Sequence, residues 1–452
     1  MNTASYSASL KEQDESTVNK YHWRIVFTAG TGFFTDAYDL FIIGVVTAIL
    51  TPLWHLTKFE LSWLNGASLI AAAVGAVFFG TLSDKLGRKK LYGLEAAILV
   101  VGAIWSACTT SFTGLLMARI LVGLGIGGDY PSSATVVSES ANRKNRGFLV
   151  LLVFAMQALG LIVGPLLASL LLSLHIPHDY VWRILLGLGA LPAASVIYLR
   201  RTIKESKRFL MTKEAPLEVG RVVHDLVDGH DDLTPPTLAK GFKKQSLLSS
   251  KWLKCMIGTG GAWFLMDVAL YGNGVSNNLI LSTLSPHANI LQHTLVSVLI
   301  FLVFAVPGYF LSARYIDRIG RKPIQYMGFI VMTIAYLLIA IPGVSKIVPL
   351  FIIIYGMSYL FINFGPNATT FLIPSEIYPT SIRAKAHGIS AAIGKCGAFI
   401  GAFTLPLLLA SKGMSYVMTM MAVMSFLGIF ATMFIPEMKN VSLDEVEEGI
   451  TA

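Results

Sequence analysis

The sequence predicts an all-α membrane protein of twelve transmembrane helices, arranged as two pseudo-symmetric bundles of six. Three observations carry this. Of 452 residues, 54% are hydrophobic and 13% charged, about half the charged fraction of a soluble domain. Twelve apolar stretches are long enough to cross a bilayer, which takes roughly 20 residues each. A charged motif recurs at equivalent places in the two halves of the chain.

The stretches cover about 24–50, 60–83, 91–110, 113–138, 147–173, 183–200, 252–280, 293–313, 324–342, 347–374, 386–410 and 414–435. The sixth is short. The first, fourth, seventh and tenth are long and hold most of the polar residues. Residues 1–23 read as a polar tail, 24–200 as the first bundle and 251–436 as the second. Between them, 201–250 reads as a soluble linker with room for one amphipathic helix, and 437–452 as a second tail. No cleavable leader is visible, so the first apolar stretch is expected to direct insertion.

Charge sets the orientation. Of 35 Lys and Arg, only Lys58, Arg183, Lys346 and Lys412 fall in the odd-numbered loops. Arg119 and Lys395 fall within spans, and the rest flank the even-numbered loops and tails. That bias places both termini in the cytoplasm. The net charge of +9 is therefore a topology signal, and no nucleic-acid partner is implied. A multi-pass protein of the cell (plasma) membrane is expected, with the bilayer as its partner and a monomer as its state.

The repeat is Asp84-Lys85-Leu86-Gly87-Arg88-Lys89 after the second span and Asp317-Arg318-Ile319-Gly320-Arg321-Lys322 after the eighth. A second echo pairs Glu139 with Arg146 and Glu376 with Arg383, seven residues apart in each case. All these charges sit at cytoplasmic helix ends. Carboxylates and guanidiniums from neighbouring helices can pair there, and Arg suits the role because its fork holds a carboxylate in a fixed geometry. The expected role is a gate whose pairs break when the bundles rotate. Two equivalent halves are the plan of a carrier that rocks about a central site.

Some patterns carry no chemistry. Gly123-Leu124-Gly125-Ile126-Gly127-Gly128 fits a dinucleotide-binding fingerprint, but that fingerprint needs a preceding strand. Inside a span, small residues let helices approach closely. Asn367-Ala368-Thr369 lies in a span and Asn440-Val441-Ser442 in the cytoplasmic tail, so neither is a glycosylation site. The nine histidines show no metal-ligand spacing. His175, His178, His287 and His293 read as surface residues near external loops. Cys108, Cys255 and Cys396 imply no disulfide framework. No cofactor, metal or nucleophile–base–orienter set is indicated, so an enzyme is not expected.

The buried charges point to function. Asp129 lies inside an apolar run, at a cost of roughly 2.5–3.5 kcal/mol on insertion scales. Asp36, Asp39, Glu95, Asp267 and Lys395 lie at similar depth. Such groups mark solute or proton paths. Asp36 and Asp39 are three residues apart and share a helix face. Burial and mutual repulsion make two ionised carboxylates costly, which makes at least one a candidate proton carrier. The alternative is that both stay ionised beside Arg119 or Lys395.

Trp263, Asp267 and Tyr271 recur at i, i+4 and i+8 on one face. With Tyr130, Gln157, Asn363, Asn367 and Lys395 they suggest a polar central cavity. Hydroxyls and amides donate in fixed directions, and Lys395 neutralises charge. Asp267 would repel a bare anion but accept a hydrogen bond from one that still carries protons. Dihydrogen phosphate fits this and sulfate does not, which permits phosphate without requiring it. Tyr130 follows Asp129 by one residue and so faces about 100° away. Asp129 is then expected to look towards a proton path, with Arg119 in reach of the same cavity, and Tyr130 towards a solute.

The two charged repeats resemble the loop signatures of the major facilitator superfamily. Arg119 with Gly123, Gly125 and Gly127 resembles its fourth-helix pattern, and the likeness covers about 24–436. A narrower likeness lies in Gly127-Gly128-Asp129-Tyr130-Pro131 with Ser133-Ala134-Thr135, and in the run from Trp263 to Tyr271. It continues in Asn363-Phe364-Gly365-Pro366-Asn367 and the run from His387 to Lys395. These are similar to the phosphate:proton symporter family. The resemblance implies proton-coupled import of inorganic phosphate. It implies that Tyr130, Gln157, Trp263, Asp267, Tyr271 and Asn367 contact phosphate, and that Lys395 neutralises it. It implies that Asp36, Asp39, Glu95, Arg119 and Asp129 carry or tune the proton. The alternative is the same fold carrying another small solute: an organic acid, a sugar or a glycerophosphodiester. With only Arg119 and Lys395 read as buried cations, a dicarboxylate is disfavoured. A phosphate sensor is the remaining rival, and the short tails argue against it.

Overall fold

The computed structural model describes residues 15, 17–87, 91, 93–200 and 246–447. Arg88, most of the linker expected over 201–250 with its amphipathic helix, and the ends of both tails lie outside the described residues. Among the described residues every regular element is helical.

The spans are α1 (Lys20–Leu53), α2 (Lys58–Leu86), α3 (Leu94–Cys108), α4 (Phe112–Ser140) and α5 (Arg146–Ser173). Then come α6 (His178–Arg200), α7 (Ser250–Val275), α8 (Ile290–Ile319), α9 (Arg321–Ala340) and α10 (Val348–Ile377). A short helix, Asn277–Leu284, extends α7. The last helical run, Arg383–Met433, is two spans, α11 (383–412) and α12 (414–433), divided at Gly413 with φ 80°. That left-handed geometry suits glycine, which has no Cβ to clash. All twelve apolar stretches are thus helices. The sixth is longer than its hydropathy suggested, because α6 starts on the polar residues His178 and Asp179.

Local sequence sets the helix ends. Asn19 caps α1 in a reciprocal box with His22, and Thr57 caps α2 with Glu60, whose Oε2 accepts from Thr57 N at 2.9 Å. Such boxes satisfy amide donors that the first turn leaves free. Pro131 in α4 and Pro165 in α5 are helix-interior prolines, tolerated in membrane helices where neighbours re-satisfy the freed backbone. In α10 the chain breaks at Gly365 and restarts on Pro366.

Packing follows the small residues. A Cβ on Gly123 or Gly127 would overlap the Ser68 or Ala72 carbonyl of α2, and one on Gly125 the Glu95 carbonyl of α3. The glycine run therefore lets three helices touch, as small residues do in membranes. Across the halves, α2 lies on α11 and α5 on α8. Gly80 of α2 meets the Ala384 carbonyl of α11 and leaves no room for a side chain. Large apolar residues such as Val74, Phe78, Ile334 and Leu427 stay exposed around the outside, which suits a lipid-facing surface.

Candidate functional site

The seven residues expected to hold a solute meet between the halves, all buried. Gln157 Nε2 on α5 donates to Tyr130 Oη on α4 at 3.1 Å. The Tyr130 and Tyr271 hydroxyls lie 3.4 Å apart, joining α4 to α7. Lys395 Nζ on α11 donates to Tyr271 Oη at 2.8 Å and to Asp267 Oδ2 at 3.3 Å. The same ammonium sits 4.5 Å from the Tyr130 ring centre and 4.2 Å from that of Tyr271. Asn367 Nδ2 donates to Asn363 Oδ1 at 2.7 Å. Asp267 Oδ1 has no hydrogen-bond partner among the described residues. The ion pair is neutral as a unit.

The periodicity argument missed Tyr309 on α8. Its hydroxyl donates to Gln157 Oε1 at 3.3 Å and accepts from Asn367 Nδ2 at 2.9 Å, so it closes the ring of donors. A lone tyrosine in an apolar span gives no sign of this role in the sequence.

Aromatic rings close the site on both sides. Towards the Lys20 end of α1, Phe371 of α10 stacks on Phe154 of α5 with centroids 4.6 Å apart and meets Phe33 of α1 at 4.9 Å. Trp263 packs edge-on to Phe371 and to His387 in the same layer. On the other side, Phe41 of α1 stacks on Tyr271 at 5.3 Å. Next to it, Gly44 abuts the Val275 carbonyl closely enough to exclude a Cβ.

The acidic residues divide into two groups, which corrects two expectations. Arg119 does not share Asp129's cavity: it pairs with Asp39, Nη1 to Oδ1 at 3.6 Å and Nη2 to the Asp39 carbonyl at 2.8 Å. Ten helical residues separate it from Asp129, roughly 15 Å of rise. Asp129 is instead paired with Arg200, whose Nη1 also reaches Glu95 Oε1 at 3.3 Å. Ser133 Oγ donates to Asp129 Oδ1 at 2.5 Å. Asp36 lines the same small cavity as Asp129, Glu95 and Arg200, about 10 Å³ in volume, the threshold for one water. Its Oδ2 has no hydrogen-bond partner among the described residues. Asp36 and Asp39 therefore face different cations despite sharing a helix face. The second correction is the count of buried cations. Arg200 is 2% exposed, because the end of α6 folds against α1 and α3 and turns its guanidinium inwards. A charge at the edge of a span, beside a basic linker, looks like a topology residue in the sequence.

The charges expected to gate lie at the end where both helical bundles begin. Glu376 of α10 accepts from Arg146 Nε of α5 at 2.8 Å and from Arg321 Nε at 2.9 Å. Arg383 Nη1 donates to Glu139 Oε1 at 3.1 Å. Asp317 accepts from the Phe148 amide at 2.8 Å, and Asp84 from the Lys385 amide at 2.8 Å. Each carboxylate crosses from one half to the other, and Arg146, Arg321 and Arg383 are fully buried. One surface assignment also changes. His293 is buried, with Nε2 3.1 Å from the Ser285 carbonyl, while His175, His178 and His287 are exposed.

Twelve membrane helices closing over buried, paired charges make a multi-pass carrier and not an enzyme. The chain belongs to the Sugar (and other) transporter family, whose model matches residues 4–449, within the major facilitator superfamily. It is 36% identical to the probable inorganic phosphate transporter 1-6 of Arabidopsis thaliana, over 97% of this chain and 95% of that one. It is 34% identical to the low affinity inorganic phosphate transporter 3 of Petunia hybrida, over 97% and 94%. Its fold is similar to the proton:xylose symporter XylE, with TM-score 0.79, 19% identity and 95% and 98% coverage. It is also similar to the human organic anion transporter MFSD10, with TM-score 0.66, 16% identity and 91% and 99% coverage.

Proposed function

We propose that the chain is a proton-coupled symporter that imports inorganic phosphate across the plasma membrane by alternating access, with both termini in the cytoplasm. The observation that carries the reading is the Lys395–Asp267 pair set among hydroxyl and amide donors from both halves. The relatives' names point the same way. Tyr130, Gln157, Trp263, Tyr271 and Asn367 bind dihydrogen phosphate, Lys395 offsets its charge, and Asp267 accepts a hydrogen bond from one of its hydroxyls. A sugar needs no such cation. Sulfate has no proton to give Asp267 at neutral pH, and the two would repel.

Proton coupling rests on charge arithmetic. Asp36, Glu95 and Asp129 share one guanidinium, Arg200, and Asp39 has Arg119. Three ionised carboxylates beside one cation in a dry interior are too costly, so the cluster holds a proton. Asp129 is already satisfied by Ser133 and Arg200, which leaves Asp36 or Glu95 to carry it. Residues 24–200 and 251–436 then rock as two bundles. The Glu376, Glu139, Asp317 and Asp84 contacts break as the inward side opens, and phosphate and proton leave together.

The test is phosphate uptake into proteoliposomes driven by an imposed pH gradient. Uptake above that of empty vesicles, inhibited by arsenate but not sulfate, is expected. No uptake above empty vesicles defeats the reading.

A further inference from the structure

A second cavity of about 240 Å³ opens between the halves beyond the Phe41–Tyr271 contact, at the end opposite the buried gate charges. Its volume would hold roughly eight waters at liquid density, room for a small oxyanion that keeps part of its hydration. Four elements wall it: the ends of α1 and α7, the start of α2 and the start of α8. No carboxylate is among the described residues that line it.

The wall is built to donate. Lys58, one of the few basic residues at this end, lines it and has no ion-pair partner among the described residues. Asn65 and Asn278 enter from opposite halves. Each amide is anchored on one side only, Asn65 at 3.1 Å from Thr47 Oγ1 and Asn278 at 3.2 Å from Ser297 Oγ. The other side of each amide is left for a ligand. Ser276, 2% exposed, also lines the cavity, and its hydroxyl has no hydrogen-bond partner among the described residues. His293 spends one nitrogen on the Ser285 carbonyl. A carbonyl can only accept, so that nitrogen carries the proton, and the other ring nitrogen accepts in the neutral imidazole and donates only in the imidazolium.

We propose that this cavity is a separate external binding site for an oxyanion, phosphate under the function proposed above, where the anion waits before the outer aromatic contact opens. Its cation and fixed neutral donors capture the anion at the mouth, and local charge of one sign raises the capture rate. The central site then selects, because only it offers a carboxylate. The Gly44–Val275 contact separates the two sites, so they can be occupied independently.

The experiment uses the full chain in proteoliposomes with Cys108, Cys255 and Cys396 replaced by Ser and Thr51→Cys introduced in the cavity wall. An anionic methanethiosulfonate reports access. Inorganic phosphate is expected to slow modification at least threefold relative to chloride at equal ionic strength. It does so equally with Lys395→Ala, which disables the central site, and with Asn367→Ala should that variant assemble better. Lys58→Gln removes the protection. In uptake, Lys58→Gln raises KM roughly threefold to tenfold at unchanged kcat, the loss of about one contact of ordinary net hydrogen-bond strength, as befits an exposed lysine. Protection that disappears with the central-site variants, or that survives Lys58→Gln, overturns the proposal. Uptake with no protection refutes this site alone, whereas no uptake refutes phosphate as the cargo.

Discussion

Arg200→Leu is the sharpest perturbation of the proposed proton cluster. Arg200 Nη1 lies 3.3 Å from Glu95 Oε1, and Nη2 touches Asp129. At an effective dielectric of ~20, one such pair is worth about 5 kcal/mol before desolvation. Much of that is offset by the cost of burying the ions. Removing one partner of a buried pair leaves the other charge uncompensated, at a cost of roughly 3–5 kcal/mol. Here the residues left behind are Asp36, Glu95 and Asp129 with no cation among them. The equilibrium for unfolding therefore shifts by a factor of about a hundred to a few thousand, at tenfold per 1.4 kcal/mol. Thermal and SDS denaturation of the purified protein at pH 7.5 reads this. The loss shrinks as pH is lowered, because protonation removes the charges that lost their partner. Adding Asp129→Asn to Arg200→Leu restores much of the stability but not pH-driven uptake. If Arg200→Leu unfolds within ~1 kcal/mol of the parent at pH 7.5, the guanidinium does not hold this cluster together. The charge arithmetic that assigns the proton to it then fails.

Glu376→Gln removes the carboxylate that bridges Arg146 and Arg321 across the halves. It is expected to favour separation there, raising reagent access to Ser375→Cys roughly tenfold or more, as the loss of charge-assisted bonds requires; unchanged access argues against a gate. Asp267→Asn is expected to lower the preference for phosphate over sulfate by about tenfold or more, one like-charge repulsion, measured by uptake competition. Unchanged selectivity sinks the role given to that carboxylate. Gly127→Val forces a side chain into the Ala72 carbonyl, and a loss of roughly 1–3 kcal/mol is expected from overpacking, read as a lower melting temperature. An unchanged melting temperature shows that α2 and α4 can separate at no cost.

Most of the buried polar cluster proposed to hold the solute was legible because its residues violate the membrane's rule against polarity. Asp267, Lys395, Gln157 and Asn367 stand out in apolar runs, and α7's four-residue spacing puts Trp263, Asp267 and Tyr271 on one stripe. Tyr309 did not stand out, since a tyrosine in a span is ordinary and its role comes from neighbours on α5 and α10. The dinucleotide-like glycine run was read correctly as packing, because its setting in a span excludes a strand. His293 was misplaced because its loop position implied exposure, whereas the start of α8 tucks it under Ser285.

Hydropathy, basic-loop bias and the duplicated motif determined the twelve helices, the two halves and the depth of most charges, Arg200 excepted, because the bilayer imposes length and polarity one segment at a time. Which charges meet was decided only by the tertiary structure. Asp39 found Arg119, and Asp129 found Arg200 across 71 residues of chain. Pairing in a dry interior depends on which helix faces touch, and helix rotation and neighbour choice are set by packing between segments far apart in sequence.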